Sequence, residues 1–108
     1  MTGVAVILVT APPGDAGERI ARDLVDSGLA ACVNRLPGIR SVYRWQGAVH
    51  DDAEELLIVK TSRERVDAVV ARVREIHPYE VPEVIALPVE AGSAPYLAWV
   101  LEQTAGSG

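Results

Sequence analysis

Six consecutive aliphatic residues, Val4-Ala5-Val6-Ile7-Leu8-Val9, followed by Thr10, stand almost at the start of the chain. β-Branched side chains dominate the run and no polar residue, Gly or Pro interrupts it. Such a run reads as a strand buried on both faces, and a strand of that kind needs a partner on either side. Residues 4–10 therefore predict the central strand of a sheet. The run is too short for a signal-peptide core or a membrane span, and Met1-Thr2-Gly3 supplies no basic stretch ahead of it. A soluble, cytoplasmic protein with no membrane partner is expected.

The remaining chain supplies elements to surround that strand. Ala11-Pro12-Pro13-Gly14 ends it, and Asp15 with Glu18 has capping-box spacing for a helix that buries Ile20, Ala21, Leu24 and Val25 and stops near Gly28. Residues 29–47 read as one long strand kinked at Pro37-Gly38, with Val42 and Arg44 on one side and Tyr43 and Trp45 on the other. A turn near Gly47 leads to a strand over 54–61, so the pair forms a hairpin that outreaches the core. Thr61 and Glu64 repeat the capping-box spacing, and Val66, Val69, Val70, Val73 and His77 form one helical stripe. Residues 84–89 make a strand whose Pro88 favours an edge or a terminal position, and Ser93-Ala94-Pro95 opens a last helix with Leu97, Val100 and Leu101 inward. Residues 104–108 form a frayed tail.

The order β-α-β-β-α-β plus a terminal helix predicts an α+β fold of the ferredoxin-like, split β-α-β type. Two helices cover only one face of a four-stranded sheet. Leu8, Val9, Val33, Val42, Leu57, Val59 and Ile85 supply more apolar strand surface than those helices can hide, which predicts sheet-to-sheet oligomerisation. With 108 residues, 49% of them hydrophobic, the chain fits one domain over 1–108. A net charge of −5, with Lys and Arg scattered, excludes a nucleic-acid partner held by its phosphates. Cys32 is the only cysteine, so no internal disulfide forms.

Polar chemistry is concentrated in His77-Pro78-Tyr79-Glu80-Val81-Pro82-Glu83. Pro78 biases His77 out of the helical region and ends the helix, leaving a stiff loop that offers one imidazole and two carboxylates. Two readings stay open, a cation-binding loop or a rigid connector whose polar groups are solvated or satisfied. Cys32 adds a thiolate that would favour copper or zinc, or it is an inert small core residue. Lys60 is an anion contact near His77 or a snorkelling strand end. His50, beside Asp51 and Asp52 near the hairpin turn, reads as solvent-facing, or as an adventitious cation contact. All the aromatics, Tyr43, Trp45, Tyr79, Tyr96 and Trp99, fall after residue 42; they line an interface or pocket, or they fill the core. No nucleophile has an adjacent base, so an enzyme reading rests only on His77 beside Glu80 or Glu83, and no catalytic residue is assigned.

Taken in order, Ala30-Ala31-Cys32-Val33-Asn34, Pro37-Gly38, the segment Ser41-Val42-Tyr43-Arg44-Trp45-Gln46-Gly47, Glu55-Leu56, Lys60-Thr61, the His77 to Glu83 loop and Tyr96-Leu97-Ala98-Trp99 resemble the CutA divalent-cation tolerance family. The resemblance implies a tight homotrimer like the PII signalling trimers, associated with tolerance and binding of divalent metal, notably copper. It carries His77, Glu83 and Cys32 over as metal-site residues, in inter-subunit clefts lined by Lys60, Tyr43, Trp45, Tyr79 and Trp99. Val9 stands where some members have a further cysteine, so the implied site is lined by oxygen and nitrogen more than by sulfur. The alternative is a PII-like signalling or scaffold protein that binds a small anionic ligand or a protein partner.

Overall fold

The computed structural model describes residues 1–106. Eight elements follow one another: β1 (Val4–Ala11), α1 (Asp15–Asp26), β2 (Cys32–Trp45), β3 (Ala48–Ser62), a 3-10 turn (Arg63–Arg65), α2 (Val66–Ile76), β4 (Val84–Pro88) and α3 (Ala94–Gln103). The strands form one sheet in the order β2-β3-β1-β4, with each neighbouring pair antiparallel. β1 and β2 are thus parallel with β3 inserted between them, as are β3 and β4 with β1 between them. This is the split β-α-β arrangement, with the aliphatic run at the centre and the proline-ended strand at an edge.

Strand alternation gives the sheet two unlike faces. Ile7, Val9 and Ala11 of β1, with Leu57 and Val59 of β3, meet Ile20 and Leu24 of α1 and Val69 and Val73 of α2 in the buried core. Gly17 lets α1 approach closely, because a Cβ there would fall on the Glu55 carboxylate. The other face is not closed. Val6, Leu8, Leu56 and Ile58 are half-buried and Ile85 and Leu87 exposed, while α3 packs mainly on β3 and β1 and buries Val100. The central strand is therefore sealed on its helix side and half-open on the other. Val9, Leu57 and Val59, expected among the surplus apolar residues, belong to the closed core instead.

Several local expectations are corrected. Asp15 is the first residue of α1 rather than its cap, Gly14 holds the cap position, and no side chain caps the helix. Val25 points outward, 42% exposed. Thr61 belongs to β3 and its hydroxyl donates to the Leu29 carbonyl at 2.7 Å, so the 3-10 turn precedes α2 without a side-chain cap. In α3 only Val100 is fully buried; Leu97 is half-buried and Leu101 exposed. The tail is ordered at its start, since Thr104 is buried and its carbonyl accepts from Arg65 Nε at 2.9 Å; residues 107 and 108 lie outside the described part.

β3 begins six residues earlier than the polar string His50-Asp51-Asp52 suggests. Cross-strand partners hold that string extended: His50 stacks on Tyr43 at 5.3 Å, Asp52 accepts from the Tyr43 hydroxyl at 2.6 Å, and Asp51 pairs with Arg40 at 2.9 Å. His50 is half-buried by that stack rather than fully solvent-facing. The hairpin closes through Gln46 and Gly47, both at positive φ, as a two-residue turn that follows the twist of its strands. It gives the chain an extended outline of 43 × 27 × 22 Å.

Candidate functional site

One irregularity decides where the hairpin aromatics point. The β2–β3 register shifts between Leu36 and Ile39, where β2 carries one residue more than β3. Gly38 takes that bulge at a φ of 80°, a conformation a side chain would strain. Leu36 lies opposite Leu56 on the open face, and beyond the bulge Ile39 lies opposite Glu54, again on the open face. Tyr43 and Trp45 follow Ile39 by even steps and share that face. They meet the loop that follows α2.

His77 places that loop. The imidazole is buried, 7% exposed, at the C-terminus of α2. Its Nδ1 accepts from the Tyr79 backbone N–H at 3.0 Å, so Nε2 carries the ring proton and donates to the Thr10 carbonyl at 2.7 Å. Both nitrogens are used, and together they tie the loop to the end of the central strand. The Tyr79 ring lies against the imidazole at 4.8 Å, and its hydroxyl donates to Glu54 Oε2 at 2.9 Å. Burial, helped by the Glu54 carboxylate, pushes the Tyr79 phenol up to about 12. The Tyr43 phenol is also raised, chiefly by donating to Asp52.

Between hairpin and loop lies an open cavity of about 630 Å³. Tyr43, Trp45 and Tyr79 contribute its aromatic walls, and Asp52, Glu54 and Glu83 its carboxylates, with Glu80 at the side. Among the described residues no Lys, Arg or His lines it.

The structure thus brings together Tyr43, Trp45, Tyr79 and Glu83 and sets His77 behind their wall. Cys32 and Lys60 lie elsewhere, opposite each other in the β2–β3 register. Lys60 stands four positions along β3 from Leu56, the partner of Thr10, a span of roughly 13 Å at strand rise. There the Lys60 ammonium donates to Asn34 Oδ1, and Cys32, half-buried on the open face, lies 3.9 Å from the same oxygen. Trp99 packs against Tyr96 at 5.6 Å on α3 and does not line the cavity. Burial and the nearby Cys32 raise the Tyr96 phenol.

No group of three His, Cys, Asp or Glu side chains among the described residues is placed to hold a metal ion. His77, Glu83 and Cys32 do not converge within one chain. The residues present in a single chain therefore do not fit a divalent ion as a closed ligand set. Glu54 and Thr10 carried no warning in the sequence, and Asp52 stood out only beside His50; Glu54 and Glu55 read as one polar strand start, and only the pleat sends them to opposite faces.

A family model described as CutA1 divalent ion tolerance protein matches residues 5–103. The chain belongs to the CutA1 divalent ion tolerance family. It is 50% identical over 99 residues to Protein CutA 1, chloroplastic, of Oryza sativa, covering 92% of this chain and 56% of that protein. It is 48% identical over 99 residues to the divalent-cation tolerance protein CutA of Thermus thermophilus, covering 92% of this chain and 96% of that one. The chain thus spans little more than half of the rice relative and nearly all of the bacterial one. The crystal structure of CutA1 from Oryza sativa superposes with a TM-score of 0.93 at 48% identity, covering 99% of this chain and 100% of that one. The family is defined by cation tolerance and not by a catalysed reaction.

The cytoplasmic placement expected from the sequence is overturned. The rice relative is chloroplastic by name. A CutA structure from Archaeoglobus fulgidus is described as periplasmic, at 38% identity and a TM-score of 0.90 over 94% of this chain and 98% of that one. Family members are thus placed in several compartments, and a short apolar strand with no basic stretch ahead of it does not select among them. Among the described residues no helix is long and apolar enough to cross a membrane.

Proposed function

We propose that the chain serves divalent-cation tolerance as a homotrimer, with its cation sites completed between subunits. The open sheet face carries this reading: Val6, Leu8, Leu56, Ile58, Ile85 and Leu87 leave an apolar band only partly covered by α3. An apolar band of that breadth marks an association surface. The acidic cavity adjoins it, so a neighbouring subunit seated on the band comes within reach of the carboxylates.

Of the three residues singled out as metal ligands, Glu83 is the donor this chain offers directly, as a carboxylate at the cavity wall. His77 acts by holding the loop, and Cys32 stands at the start of the edge strand β2, opposite Lys60. Carboxylate oxygen by itself favours hard divalent ions, so zinc or copper(II) at this wall calls for a nitrogen ligand from a neighbouring subunit. A small anionic ligand meets four carboxylates at this cavity and is disfavoured there.

Light scattering should return about three times the 11.5 kDa chain mass; a single-chain mass overturns the assembly. Calorimetric titration with zinc and copper should give saturable heats in the wild type that fall in Glu83→Gln. Equal heats in the two proteins overturn the role of Glu83.

A further inference from the structure

Two adjacent carboxylates of β3 are equally withdrawn from water and unequally served. Glu55 is 6% exposed and Glu54 7% exposed. Glu55, on the helix side, meets the Arg35 guanidinium through two bonds of 2.8 and 3.1 Å. Glu54, on the open side, accepts one bond from the neutral Tyr79 hydroxyl and takes part in no ion pair among the described residues. A carboxylate nine-tenths buried without a counter-charge is costly, because its desolvation is not offset. Glu54 faces the cavity.

The cavity says what kind of counter-charge it takes. Its volume of about 630 Å³ lies in the range of small-molecule pockets, roughly 300–1,000 Å³, and far exceeds the space of a bare ion. The faces of Tyr43, Trp45 and Tyr79 attract a cation through their quadrupoles, Trp most strongly. A divalent ion needs several donors at bonding distance, and no set of three is present among the described residues; an ammonium or guanidinium group needs one or two carboxylates and an apolar or aromatic wall for its stem.

The geometry points to this cavity as a binding site for a cationic nitrogen group, an alkylammonium or alkylguanidinium, seated on Glu54 between the rings of Tyr43, Trp45 and Tyr79. The group comes from a free amine or guanidine, or from a Lys or Arg of a second copy of the chain. Tyr79 orients the carboxylate by its hydrogen bond, and His77, by fixing the Tyr79 backbone, sets the ring that forms the wall. The inference rests on Glu54 and does not require the divalent-cation reading, which rests on Glu83 and the open face.

The test follows Trp45 emission in the full chain carrying Trp99→Phe, at constant ionic strength, with n-butylammonium, n-butylguanidinium and the neutral n-butanol as probes. Saturable changes with the two cations and none with butanol are expected, weakened about tenfold or more by Glu54→Gln, which removes the charge that the cation meets. Glutamine is isosteric and still accepts from Tyr79; Asp52→Asn, on the same wall, provides a second variant should the first not fold. If a second copy supplies the group, the free amines leave Trp45 unchanged and Glu54→Gln lowers the assembly's mass at a given dilution. A saturable response to butanol equal to that to butylammonium overturns the inference. So does a Glu54→Gln protein with both amine affinity and assembly intact. Zinc that perturbs Trp45 only when Glu54 is present, with the amines silent and the assembly unchanged, would assign the carboxylate to a metal and leave the divalent-cation reading standing. Amine binding together with zinc heats that Glu83→Gln does not alter would do the reverse.

Discussion

His77 shows how much one side chain can settle without touching a ligand. Its two nitrogens serve the Thr10 carbonyl and the Tyr79 N–H, so His77→Ala leaves a buried acceptor and a donor unmatched. The expected loss is about 2–4 kcal/mol, read by urea denaturation; a loss within error would mean the loop is held by its prolines alone. Tyr79 gives the pH-dependent signature of the same region. Its phenol is raised to about 12 in the fold and ionises near 10 when unfolded. The folded state then retains a proton that the unfolded state releases, so this contribution is full below about pH 10 and is lost as pH rises towards 12. Ultraviolet titration should show a tyrosine ionising near pH 12, absent from Tyr79→Phe. The sequence pointed to these seven residues by their density of polar groups, and their helix-ending role was legible from Pro78. Which atoms the imidazole would bind was not, because Thr10 lies 67 positions away.

Among the elements, the β2–β3 hairpin is where local rules reached furthest and then failed. Alternation correctly separated Val42 and Arg44 from Tyr43 and Trp45, and the Pro37-Gly38 pair correctly marked an interruption. Only the counted register tells that the interruption adds one residue, and that one residue turns both aromatics towards the loop after α2. A valine at position 38 would combine β-branching with a φ of 80°. Gly38→Val is expected to cost about 1–2 kcal/mol by thermal or urea denaturation; open space around the position leaves backbone strain as the cause. An unchanged midpoint would show that the bulge can relocate. The early start of β3 has a related origin: residues 48–53 have turn-like composition, and cross-strand pairs that propensity does not see hold them extended.

At the scale of the whole molecule, the two faces of the sheet divide the labour. Leu8→Asp places a charge in the middle of the open band while sparing the closed core. The expected outcome is a mass near that of one chain by light scattering with far-ultraviolet circular dichroism retained; an undiminished assembly would remove the open face from the interface. The sequence by itself determined the element order, the ferredoxin-like topology, the central place of residues 4–10 and the family, because these follow from hydrophobic period, turn residues and the order of motifs along the chain. The tertiary structure alone decided which residues share a cavity. It joined Glu54 and Asp52 to Tyr43, Trp45, Tyr79 and Glu83, set His77 behind them, and left Cys32 and Lys60 six positions of β3 from Glu54, roughly 20 Å along the strand. The physical reason is that strand phase, the bulge and the return of the loop onto the end of β1 set distances in space that spacing along the chain does not encode.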